Sequence, residues 1–554
     1  PEWEAELAAH AAVAGPENAA LRRHLLVLDD GRLYLQRYWD YEQGLARMIN
    51  ERLKAPALVF PDPVKALGDV APRFAGTGNS YSFNFQAAAV CAGLRNHFTI
   101  ISGGPGCGKT SVVAAVAALW LEWRPKTKIV LCAPTGLAQA RLHQALHDEI
   151  TWLDCSKKVK AELLKLSAAT VHRLLGYRPG AGFRYHAENL LPVDLLIVDE
   201  ASMVPLWIMS SLFAALPTEC AVILLGDKNQ LASVEAGAVL GDLCSLGSEN
   251  CFSTAFQDDL GRLTMTTAAK LPAASEKGLL HDHIVELKKS YRFAPDGGIA
   301  RLQKAIMAPE SSAGSDFKQL CLDDPSGEVG ICLMPTEEPA FKTFLFNELA
   351  RQKVEINGRM VVFKAYSEVD DLATAFAVFQ GFRMLSPLRR GRYGIENLNR
   401  LLPRALGLNT TRQYYRGRPL MITRNAPHLN LYNGDIGLIW PDAEGRLMAW
   451  FKRADGSFAD FEPLRLPSHE SAFAVTVHKA QGSGFQKVVL LWPGSQSPLL
   501  TREMLYTAVT RAAKRIEIWL SEAGQAGPEV FLAKACRRRV ERSSGLLKTL
   551  QEMR

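Results

Sequence analysis

The sequence is poor in cysteine and has no apolar run long enough to cross a bilayer. Its ten cysteines are scattered over 554 residues, without a Cys-x-x-Cys pair, which predicts free thiols in a reducing cytoplasm. The longest apolar run, Val112–Leu121, is about half of the roughly 20 residues that a transmembrane helix needs. His143 and His147 stand one helical turn apart without a third ligand nearby, so we expect solvated helix residues rather than a metal site. The acidic amino end lacks the pattern of a secretory signal, and we expect a cytoplasmic protein with no membrane partner.

The net charge is also small for so long a chain. The 64 Lys and Arg residues outnumber 57 Asp and Glu residues, for a net charge of +7, and 48% of the residues are apolar. This composition excludes disorder, collagen and coiled coil for the whole chain, and it permits a nucleic-acid partner without requiring one. At roughly 100–200 residues per domain, the length predicts about three or four domains. Because the sequence begins at Pro1 rather than Met, we expect the native chain to begin upstream.

Short apolar runs separated by helical stretches predict an α/β fold with parallel sheets. Residues 241–285 are rich in Ser, Thr, Gly and Asp and predict an irregular excursion, and Pro61–Gly78 predicts a linker. Turns at Asn433-Gly434 and Asp455-Gly456 among short strands predict an inserted β-barrel. The predicted strands are Leu25–Tyr38, Phe98–Ser102, Lys128–Ala133, Asp194–Asp199, Ala221–Gly226, Val329–Met334, Gly381–Leu385, Phe473–Val477 and Lys487–Trp492. The predicted units are an N-terminal domain (1–80), a first α/β domain (81–285), a second α/β domain (286–404 and 471–554) and the barrel (405–470).

A phosphate-binding loop follows the strand Phe98–Ser102. Residues 103–110 read GGPGCGKT and fit the pattern G-x-x-x-x-G-K-[ST], whose backbone N–H groups wrap a phosphate at a helix N-terminus. We expect Lys109 to contact the β- and γ-phosphates of ATP, and Thr110 to hold Mg²⁺ through its hydroxyl. The expected nucleotide-binding residues of this segment are Gly103, Gly104, Pro105, Gly106, Cys107, Gly108, Lys109, Thr110 and Ser111.

Two later strands end in residues that suit hydrolysis. The apolar run Leu195–Val198 is followed by Asp199 and Glu200. Asp199 suits coordination of Mg²⁺ by way of water, and Glu200 suits activation of the attacking water, which a mere nucleotide binder does not need. Gln230 follows the third strand, and its amide can donate to the γ-phosphate while it accepts from water.

The charge that develops on the γ-phosphate in the transition state requires cations, often arginines from another domain. The two candidates in the second half are Arg292, in Ser-Tyr-Arg-Phe, and Arg511, in Val-Thr-Arg-Ala. An isolated arginine is more often a surface charge, so the assignment depends on the motifs around these two residues.

In their order along the chain, these segments resemble the motifs of superfamily-one helicases, motor ATPases in which two RecA-like domains clamp ATP. The segments similar to motifs Q, I, Ia, Ib, II, III, IV, V and VI are Phe85-Gln86, 103–110, Ala133–Gly136, Thr170–Gly176, Asp199–Met203, Gly226–Leu231, Arg292, Val475–Ser483 and Val509–Ala512. The resemblance implies adenine recognition by Gln86 and nucleotide contacts from Gln481 and Gly482. It implies catalytic roles for Lys109, Glu200, Gln230, Arg292 and Arg511. It implies DNA contacts from Pro134, Thr135, Thr170, His172, Ser386, Arg389, Arg390, Thr476 and His478.

Further segments resemble the RecD family, the α subunits of exodeoxyribonuclease V (RecBCD). They are Ser290–Phe293, Leu385–Gly391, Asn433–Gly437 and Arg542–Leu546. The resemblance implies a 5′→3′ DNA helicase that acts on the 5′-ended single strand at duplex ends during recombinational repair, with RecB-like and RecC-like partners. It also implies an SH3-like barrel and a short N-terminal domain that docks on the RecC-like partner. The chain departs from the family at Gly484, where an acidic residue is usual, and we expect this position to be peripheral.

The basic excess of the chain lies in one stretch. Residues 383–424 hold ten arginines and one acid, Glu396, whereas the rest of the chain carries 54 basic and 56 acidic residues. Tyr393, Tyr414 and Tyr415 are interleaved with the arginines, which suits a groove that tracks a nucleic-acid backbone and stacks bases. A solvated basic face and an interface with an acidic partner subunit remain alternatives for part of the run.

Two rival interpretations are weaker. Asp282 followed by Glu286-Leu287-Lys288 matches a metal-nuclease pattern superficially, but the spacing is too short and the stretch runs into the Arg292 motif, so we predict no nuclease site. A nucleotide-binding scaffold with a vestigial ATPase would be expected to have lost Lys109, Glu200 or one of the two arginines, and the chain retains all of them.

Overall fold

The computed structural model describes residues 2–19, 24–59, 85–178, 180–247, 250–264, 278–308, 324–453, 456–494, 497–521, 527–540 and 542–553, with residues 70 and 317. Apart from Val70, the predicted linker Pro61–Gly78 lies outside the described residues, as does the turn residue Asp455. Within the described ranges no helix is both long enough and apolar enough to traverse a membrane. The nine cysteines described there are free thiols.

Six parallel strands form the first sheet. Their order is Ala168–Thr170, Ile129–Ala133, Leu195–Val198, Ala221–Gly226, Phe98–Gly103 and Ile284–Leu287. Most of their residues are apolar because both faces of the sheet are covered by helices and separate apolar clusters. The helices of this part of the chain are Phe85–Arg95, Lys109–Trp123, Gly136–Trp152, Lys157–Leu163, Val171–Leu174, Leu206–Ala214, Val239–Ser245 and Thr254–Thr264. All strands are parallel, so their carboxyl ends meet at one edge of the sheet.

The segment predicted to be irregular, residues 241–285, is partly regular. It contains most of the helix Val239–Ser245 and all of Thr254–Thr264, and the strand Ile284–Leu287 begins at its end as the edge strand of the first sheet. The second helix buries about one apolar residue per turn, a spacing that the Ser- and Thr-rich composition concealed. The predicted domain boundary at residue 285 therefore falls inside a strand.

Five parallel strands form the second sheet, in the order Val329–Leu333, Ala512–Leu520, Phe485–Trp492, Phe382–Ser386 and Ala474–Thr476. The strand Ala512–Leu520 lies inside the sheet and was not predicted, because charged residues interrupt its apolar pattern. One of these, Glu517, is buried beside Lys487 at 2.8 Å, so an ion pair makes the burial tolerable. The helices of this part are Gly298–Met307, Glu338–Ala350, Leu372–Gly381, Ile395–Ala405, Arg502–Val509 and Gly527–Arg537, with a hairpin of Lys353–Ile356 and Arg359–Val362.

An antiparallel sheet is inserted between two strands of the second sheet. Its five strands are, in order, Phe458–Phe461, Leu447–Lys452, Ile436–Pro441, Pro419–Ile422 and His469–Ser471. The predicted turn Asn433-Gly434 precedes one of the strands, and Gly434 has a φ of +98° that a residue with a side chain rarely adopts. The predicted start of the insertion, residue 405, is the last residue of the helix Ile395–Ala405. The inserted strands begin only at Pro419.

The amino end forms a small sheet and a long helix. Val13–Ala14 pairs with Leu26–Asp29, which forms a hairpin with Arg32–Leu35. The predicted strand-like stretch Leu25–Tyr38 ends earlier in the structure, because a helix, Gln36–Lys54, begins at Gln36. This helix packs between Leu206–Ala214 and the C-terminal helix Leu546–Glu552. The chain therefore returns from the second sheet to the amino-terminal region. The remaining short elements are the helices Glu2–Ala8 and Pro16–Ala19 and the 3₁₀ turns Ala201–Met203, Phe363–Ser367, Pro427–Leu429, Pro463–Arg465 and His478–Ala480.

Candidate functional site

The glycine-rich loop lies where its sequence predicts, between the strand Phe98–Gly103 and the helix Lys109–Trp123. Gly106 and Gly108 have φ angles of +77° and +85°. A Cβ atom on Gly106 would lie 2.5 Å from Cβ of Arg292, and one on Gly108 would lie 2.0 Å from Nε2 of Gln86. Both positions therefore require glycine, and the loop exposes its N–H groups at the start of the helix as a phosphate site demands.

The ammonium group of Lys109 lies inside the curve of this loop. Its Nζ donates to the carbonyl oxygens of Gly103 at 2.6 Å and Gly104 at 3.1 Å. Burial acts to lower the pKa of Lys109, but the acidic groups around it outweigh burial and raise the pKa. These groups are Cys107, Asp227, Glu200 and Asp199. A permanent positive charge is thus held where a phosphate chain would lie.

Two adjacent carboxylates follow the strand Leu195–Val198. Oδ1 of Asp199 accepts a hydrogen bond from the backbone N–H of Glu200 at 2.9 Å, and Glu200 adopts a left-handed conformation with φ +49°. Burial, and then the charge of Glu200, raise the pKa of Asp199 to about 6. Two carboxylates held together near Lys109 are the donor set that a hydrated Mg²⁺ ion prefers, so the residues present fit this cation.

A cavity of about 640 Å³ brings these groups together with residues from the second half of the chain. Its lining residues are Gln86, Pro105, Gly106, Cys107, Gly108, Lys109, Thr110, Ser111, Arg141, Leu142, Ala145, Glu149, Asp199, Glu200, Gln230, Tyr291, Arg292, Gly482 and Arg511. All five predicted catalytic residues are among them. The predicted nucleotide contacts Gly103, Gly104 and Gln481 do not line it. Gly103 and Gly104 lie beneath the ammonium group of Lys109, and Gln481 is buried behind the wall of the cavity.

Both predicted arginines face the cavity. Arg511 is buried, and its guanidinium donates to the carbonyl oxygens of Thr507 at 3.0 Å and Ser483 at 3.1 Å. Arg292 donates to the carbonyl oxygen of Thr510 at 3.2 Å. Burial lowers the pKa of both, to about 10 for Arg292, where the charge of Arg511 adds to the effect. The two guanidinium groups repel one another, which an anion between them would relieve.

A third arginine in the cavity, Arg141, was missed at the sequence level. It lies on the helix Gly136–Trp152 and donates to the carbonyl oxygen of Gly482. Burial, followed by the charges of Arg511 and Arg292, lowers the pKa of Arg141 to about 10. The spacing of Arg141 from Gly136 places it on the helix face that borders the phosphate loop. The segment Ala133–Gly136 does not by itself indicate a function for this arginine.

Gln230 is oriented by a bridge between the two halves of the chain. Its Nε2 donates to Oδ2 of Asp227 at 3.1 Å, and the hydroxyl of Tyr506 donates to the same oxygen at 3.1 Å. Within the described part of the chain, Oε1 of Gln230 is buried without a hydrogen-bond partner. A buried acceptor without a partner is costly, and a water molecule near the γ-phosphate would satisfy it.

Position 484, expected to be peripheral, lies against one of the arginines. A Cβ atom on Gly484 would lie 3.4 Å from Cζ and from both terminal nitrogens of Arg292. An acidic side chain at this position would therefore meet the Arg292 guanidinium. The departure from the family pattern leaves the arginine without that contact.

The predicted DNA-contacting threonines share one arrangement. Thr135, Thr170 and Thr476 follow or end strands at the carboxyl edge of a sheet, and each hydroxyl oxygen accepts a backbone N–H three residues on, at 3.2 to 3.3 Å. Accepting this bond leaves the hydroxyl proton available for an external acceptor such as a phosphate. Pro134 directly precedes Thr135 in the same turn.

Two predicted histidines stand in different surroundings. His172 packs among aromatic rings, with centroid distances of 5.8 Å to Tyr177 and 6.0 Å to Trp207. Burial lowers the pKa of His172, and burial followed by the charge of Arg542 lowers that of His478. Both rings are therefore neutral near pH 7, so they can contact DNA as hydrogen-bonding groups rather than as charges.

The prediction that Ser386 contacts DNA is wrong for its hydroxyl group. Ser386 is fully buried, and its hydroxyl donates to the carbonyl oxygen of Tyr393 at 2.7 Å and accepts from the N–H of Leu388 at 3.1 Å. The residue shapes the loop that carries Arg389 and Arg390. It therefore positions basic residues instead of meeting a phosphate.

The arginine-rich stretch is only partly a basic surface. Arg383 is buried between the rings of Phe379 and Phe485, at 4.3 and 5.0 Å from their centroids. Arg416 stacks on Trp440 at 4.3 Å, and Arg418 donates to the hydroxyl of Ser471. Burial removes Arg383 from the predicted phosphate track, whereas Arg416 remains exposed while it stacks on Trp440.

The two arginines predicted to contact DNA differ in their freedom. Arg389 pairs with Glu396 at 3.0 Å and with Glu470 at 3.2 Å. Arg390 has 88% of its side chain exposed, and its Nε is 3.9 Å from Glu396. Arg390 is therefore the better placed of the two for a phosphate.

Two metal-like patterns in the sequence are explained by other contacts. Asp282 accepts from the hydroxyl of Ser253 at 2.6 Å, and Glu286 pairs with Lys228 at 3.1 Å. The imidazoles of His143 and His147 stack at 4.5 Å. Among the residues that the structure describes, no group of three or more His, Cys, Asp or Glu side chains is arranged to hold a metal ion.

The sequence is similar to known proteins along its whole length. Residues 86–236 match the family described as an AAA domain, and residues 471–517 match the UvrD-like helicase C-terminal domain. The RecBCD enzyme subunit RecD of Haemophilus influenzae is 31% identical over 576 residues, covering 100% of this chain and 85% of that protein. RecD of Mycolicibacterium smegmatis is 34% identical over 567 residues, covering 99% of this chain and 86% of that protein.

More distant similarities extend to helicases outside that group. The ATP-dependent RecD2 DNA helicase of Deinococcus radiodurans is 28% identical, with 94% of this chain and 59% of that protein covered. Among solved structures, the Pif1 helicase from Bacteroides in complex with ADP-AlF3 and ssDNA has 18% identity and a TM-score of 0.36, covering 82% of this chain and 93% of that one.

Proposed function

Because this chain belongs to the RecD family of RecBCD enzyme subunits, we infer that it is an ATP-dependent DNA helicase subunit of a RecBCD-type enzyme. The observation that carries the catalytic part is the cavity in which Lys109 and Glu200 from the first sheet's loops face Arg511 from the second half. Such a site is complete only when both parts of the chain meet. Hydrolysis of ATP there can drive the two parts together and apart.

We propose the following division of labour at the phosphate chain. Glu200 accepts a proton from the attacking water, and Gln230 holds that water through its amide. Lys109, Arg292 and Arg511 stabilise the charge that develops on the γ-phosphate. Thr110 and Asp199 would hold Mg²⁺, which would supply positive charge to the phosphate chain.

DNA is proposed to cross the carboxyl edges of both sheets. The hydroxyls of Thr135, Thr170 and Thr476 have a proton free for phosphate oxygens, and Arg390 offers an exposed charge. If the relative affinities of the two parts for the strand differ with and without ATP, each cycle of hydrolysis moves the strand. We propose movement 5′→3′ along the 5′-ended strand from a duplex end, in keeping with the family.

The rest of the chain is proposed to serve assembly. RecB-like and RecC-like subunits are the expected partners, with residues 1–80 docking on the RecC-like one, and the antiparallel sheet 419–471 is proposed to close as an SH3-like barrel. We place the protein in the bacterial cytoplasm, in contact with the nucleoid, and assign it no nuclease site. A scaffold with a vestigial ATPase is not favoured, because every catalytic group is retained and faces one cavity.

The test uses the complex of this chain with its co-expressed partners. Lys109→Gln removes the charge at the phosphate site, and we expect DNA-stimulated ATP hydrolysis and unwinding of a 5′-tailed duplex by this subunit to be lost while the complex still assembles. Lys165→Gln, at an exposed lysine in the turn after the helix Lys157–Leu163, is the matched control. Wild-type unwinding by the Lys109→Gln complex would refute the proposal.

A further inference from the structure

The loop that follows Gln230 is held in one compact conformation. We call residues Leu231–Gly237 the sensor loop. Inside it, the hydroxyl of Ser233 is within hydrogen-bonding distance of the carbonyl oxygens of Glu235 at 2.9 Å and Gly237 at 3.0 Å. A Cβ atom on Gly237, whose φ is +100°, would lie 2.6 Å from Cβ of Leu206. The sensor loop therefore has little freedom, and its position sets that of Gln230.

Two contacts from the second half of the chain reach the start of the sensor loop. The N–H of Leu231 donates to the hydroxyl of Thr507 at 2.9 Å, and Nε2 of Gln481 donates to the carbonyl oxygen of Leu231 at 3.0 Å. Gln481 belongs to the segment that resembles motif V, and Thr507 lies just before the segment that resembles motif VI. Both contacts involve Leu231, so neither holds the far end of the sensor loop.

Arg542, which lies outside the segments that resemble the helicase motifs, binds the far end of the sensor loop. Its Nη1 donates to the carbonyl oxygens of Glu235 at 2.7 Å and Gly237 at 2.8 Å, and its Nη2 donates to the carbonyl oxygen of Ser233. One guanidinium group thus ties three backbone carbonyls of the same loop. The planar fork of arginine suits such a set, whereas a lysine ammonium offers its donors in a different geometry.

The segment that carries Arg542 is itself anchored on the amino-terminal region. The hydroxyl of Ser544 and the N–H of Gly545 both donate to the carboxylate of Glu42, each at 2.9 Å. Glu42 is buried in the helix Gln36–Lys54. The helix Leu546–Glu552 then packs along Gln36–Lys54. The four residues 542–545 therefore connect the N-terminal region to the sensor loop.

The space between Gln230 and Arg542 is open. A cavity of about 340 Å³ has both side chains in its wall, together with Ser202 and Asp242. The amide of Gln230 is therefore not wedged in place by packing on this side. Its position depends on the hydrogen bond to Asp227 and on the backbone of the sensor loop, and so on the groups that hold this backbone.

We propose that Arg542 is a positioning residue for ATP hydrolysis, which holds the sensor loop so that Gln230 meets the γ-phosphate, and that Glu42 holds Arg542 in turn. The inference rests on the proposed function, because it assigns Arg542 a role in the same ATP site. It makes the N-terminal region part of the machinery that sets the rate of hydrolysis. A partner that shifts the helix Gln36–Lys54 would thereby change ATP turnover.

The test measures ATP hydrolysis stimulated by single-stranded DNA in the complex with partner subunits. Arg542→Ala removes several charge-assisted hydrogen bonds, and we expect kcat to fall about tenfold or more while KM for ATP changes less than about twofold. Arg542→Lys should restore part of the loss, and Glu42→Gln should reduce kcat in the same direction. Arg539→Ala, at a neighbouring exposed arginine, is the matched control and should keep the wild-type kcat.

A double substitution separates positioning from general destabilisation. In the Gln230→Ala background, Arg542→Ala should cost less than about a further twofold in kcat, because the group that it positions is already absent. A wild-type kcat in Arg542→Ala, or the same tenfold loss with and without Gln230, would overturn the inference. If Arg542→Ala does not fold, Arg542→Lys and Glu42→Gln carry the same comparison. A wild-type complex without DNA-stimulated hydrolysis would instead refute the proposed function.

Discussion

Replacing Glu200 with glutamine is expected to separate ATP binding from ATP hydrolysis. Glutamine keeps the size of the side chain but cannot accept a proton, and a positioned general base contributes about 10²- to 10⁴-fold to a rate. We therefore expect kcat to fall by about that factor. The dissociation constant for ATP should stay the same or decrease, because a negative charge that repels the phosphates has been removed.

The same substitution has a pH-dependent effect on stability that follows from its neighbour. Burial, and then the charge of Glu200, raise the pKa of Asp199 from 3.8 to about 6, and a rise of roughly 2 pH units corresponds to about 3 kcal/mol. Because the folded-state pKa is the higher one, this contribution stabilises the protein below the unfolded pKa and is lost as the pH rises through about 6. Glu200 supplies the smaller share of this rise and also attracts Lys109 and Arg511, so Glu200→Gln should lower the pKa of Asp199 and move the loss of this contribution to lower pH.

The two effects are measured on the same preparations. Thermal denaturation at pH 7.5 and pH 4.5 gives the stability difference, and steady-state hydrolysis with single-stranded DNA gives kcat. Glu219→Gln, at an exposed carboxylate near the opposite end of a strand of the first sheet, controls for the loss of one charge. A kcat within about fivefold of wild type would refute the role of Glu200 as general base. A difference in stability between pH 4.5 and pH 7.5 that equals the wild-type difference would refute the coupling to Asp199.

Three other expectations concern binding. Arg141→Met should weaken ATP binding about tenfold, since a charge-assisted contact is lost, and an unchanged affinity for a fluorescent ATP analogue would restrict Arg141 to holding Gly482. The Mg²⁺ concentration that gives half-maximal hydrolysis should rise as the pH falls through about 6, because protonated Asp199 no longer attracts the cation; equal requirements at pH 5.5 and pH 7.5 would contradict this. Arg390→Gln should reduce the slope of log affinity for single-stranded DNA against log salt by about 0.7, whereas Ser386→Ala should leave it unchanged, and identical slopes for both variants would remove Arg390 from the phosphate track.

The nucleotide site was largely predictable because its chemistry requires contiguous residues at strand ends. The loop around Lys109 and the pair Asp199-Glu200 each lie within a few residues of an apolar strand, so the pattern is local. Arg141 could not be recognised, since its role depends on which face of a helix borders the cavity. The bond between Tyr506 and Asp227 joins residues far apart in the chain, and no local pattern predicts it.

The fold was predictable where apolar runs are continuous, and charge concealed the rest. The strand Ala512–Leu520 was missed because Glu517 requires the ion pair with Lys487 to be buried. At Arg383 the charge led to a wrong prediction of exposure. The arginine run predicts a basic track there, but Arg383 is buried between aromatic rings. A count of arginines does not distinguish an exposed guanidinium from one that packs on a ring, because both have the same charge.

We expect DNA to stimulate the hydrolysis of ATP between the two halves of the chain. The most direct measurement is the rate of ATP hydrolysis by the complex with and without single-stranded DNA, compared between wild type, Lys109→Gln and Arg511→Ala. DNA should stimulate hydrolysis by the wild type, and both substitutions, one on each side of the cavity, should abolish the part of the hydrolysis that this subunit carries out. Equal rates with and without DNA, or an Arg511→Ala rate equal to wild type, would contradict it.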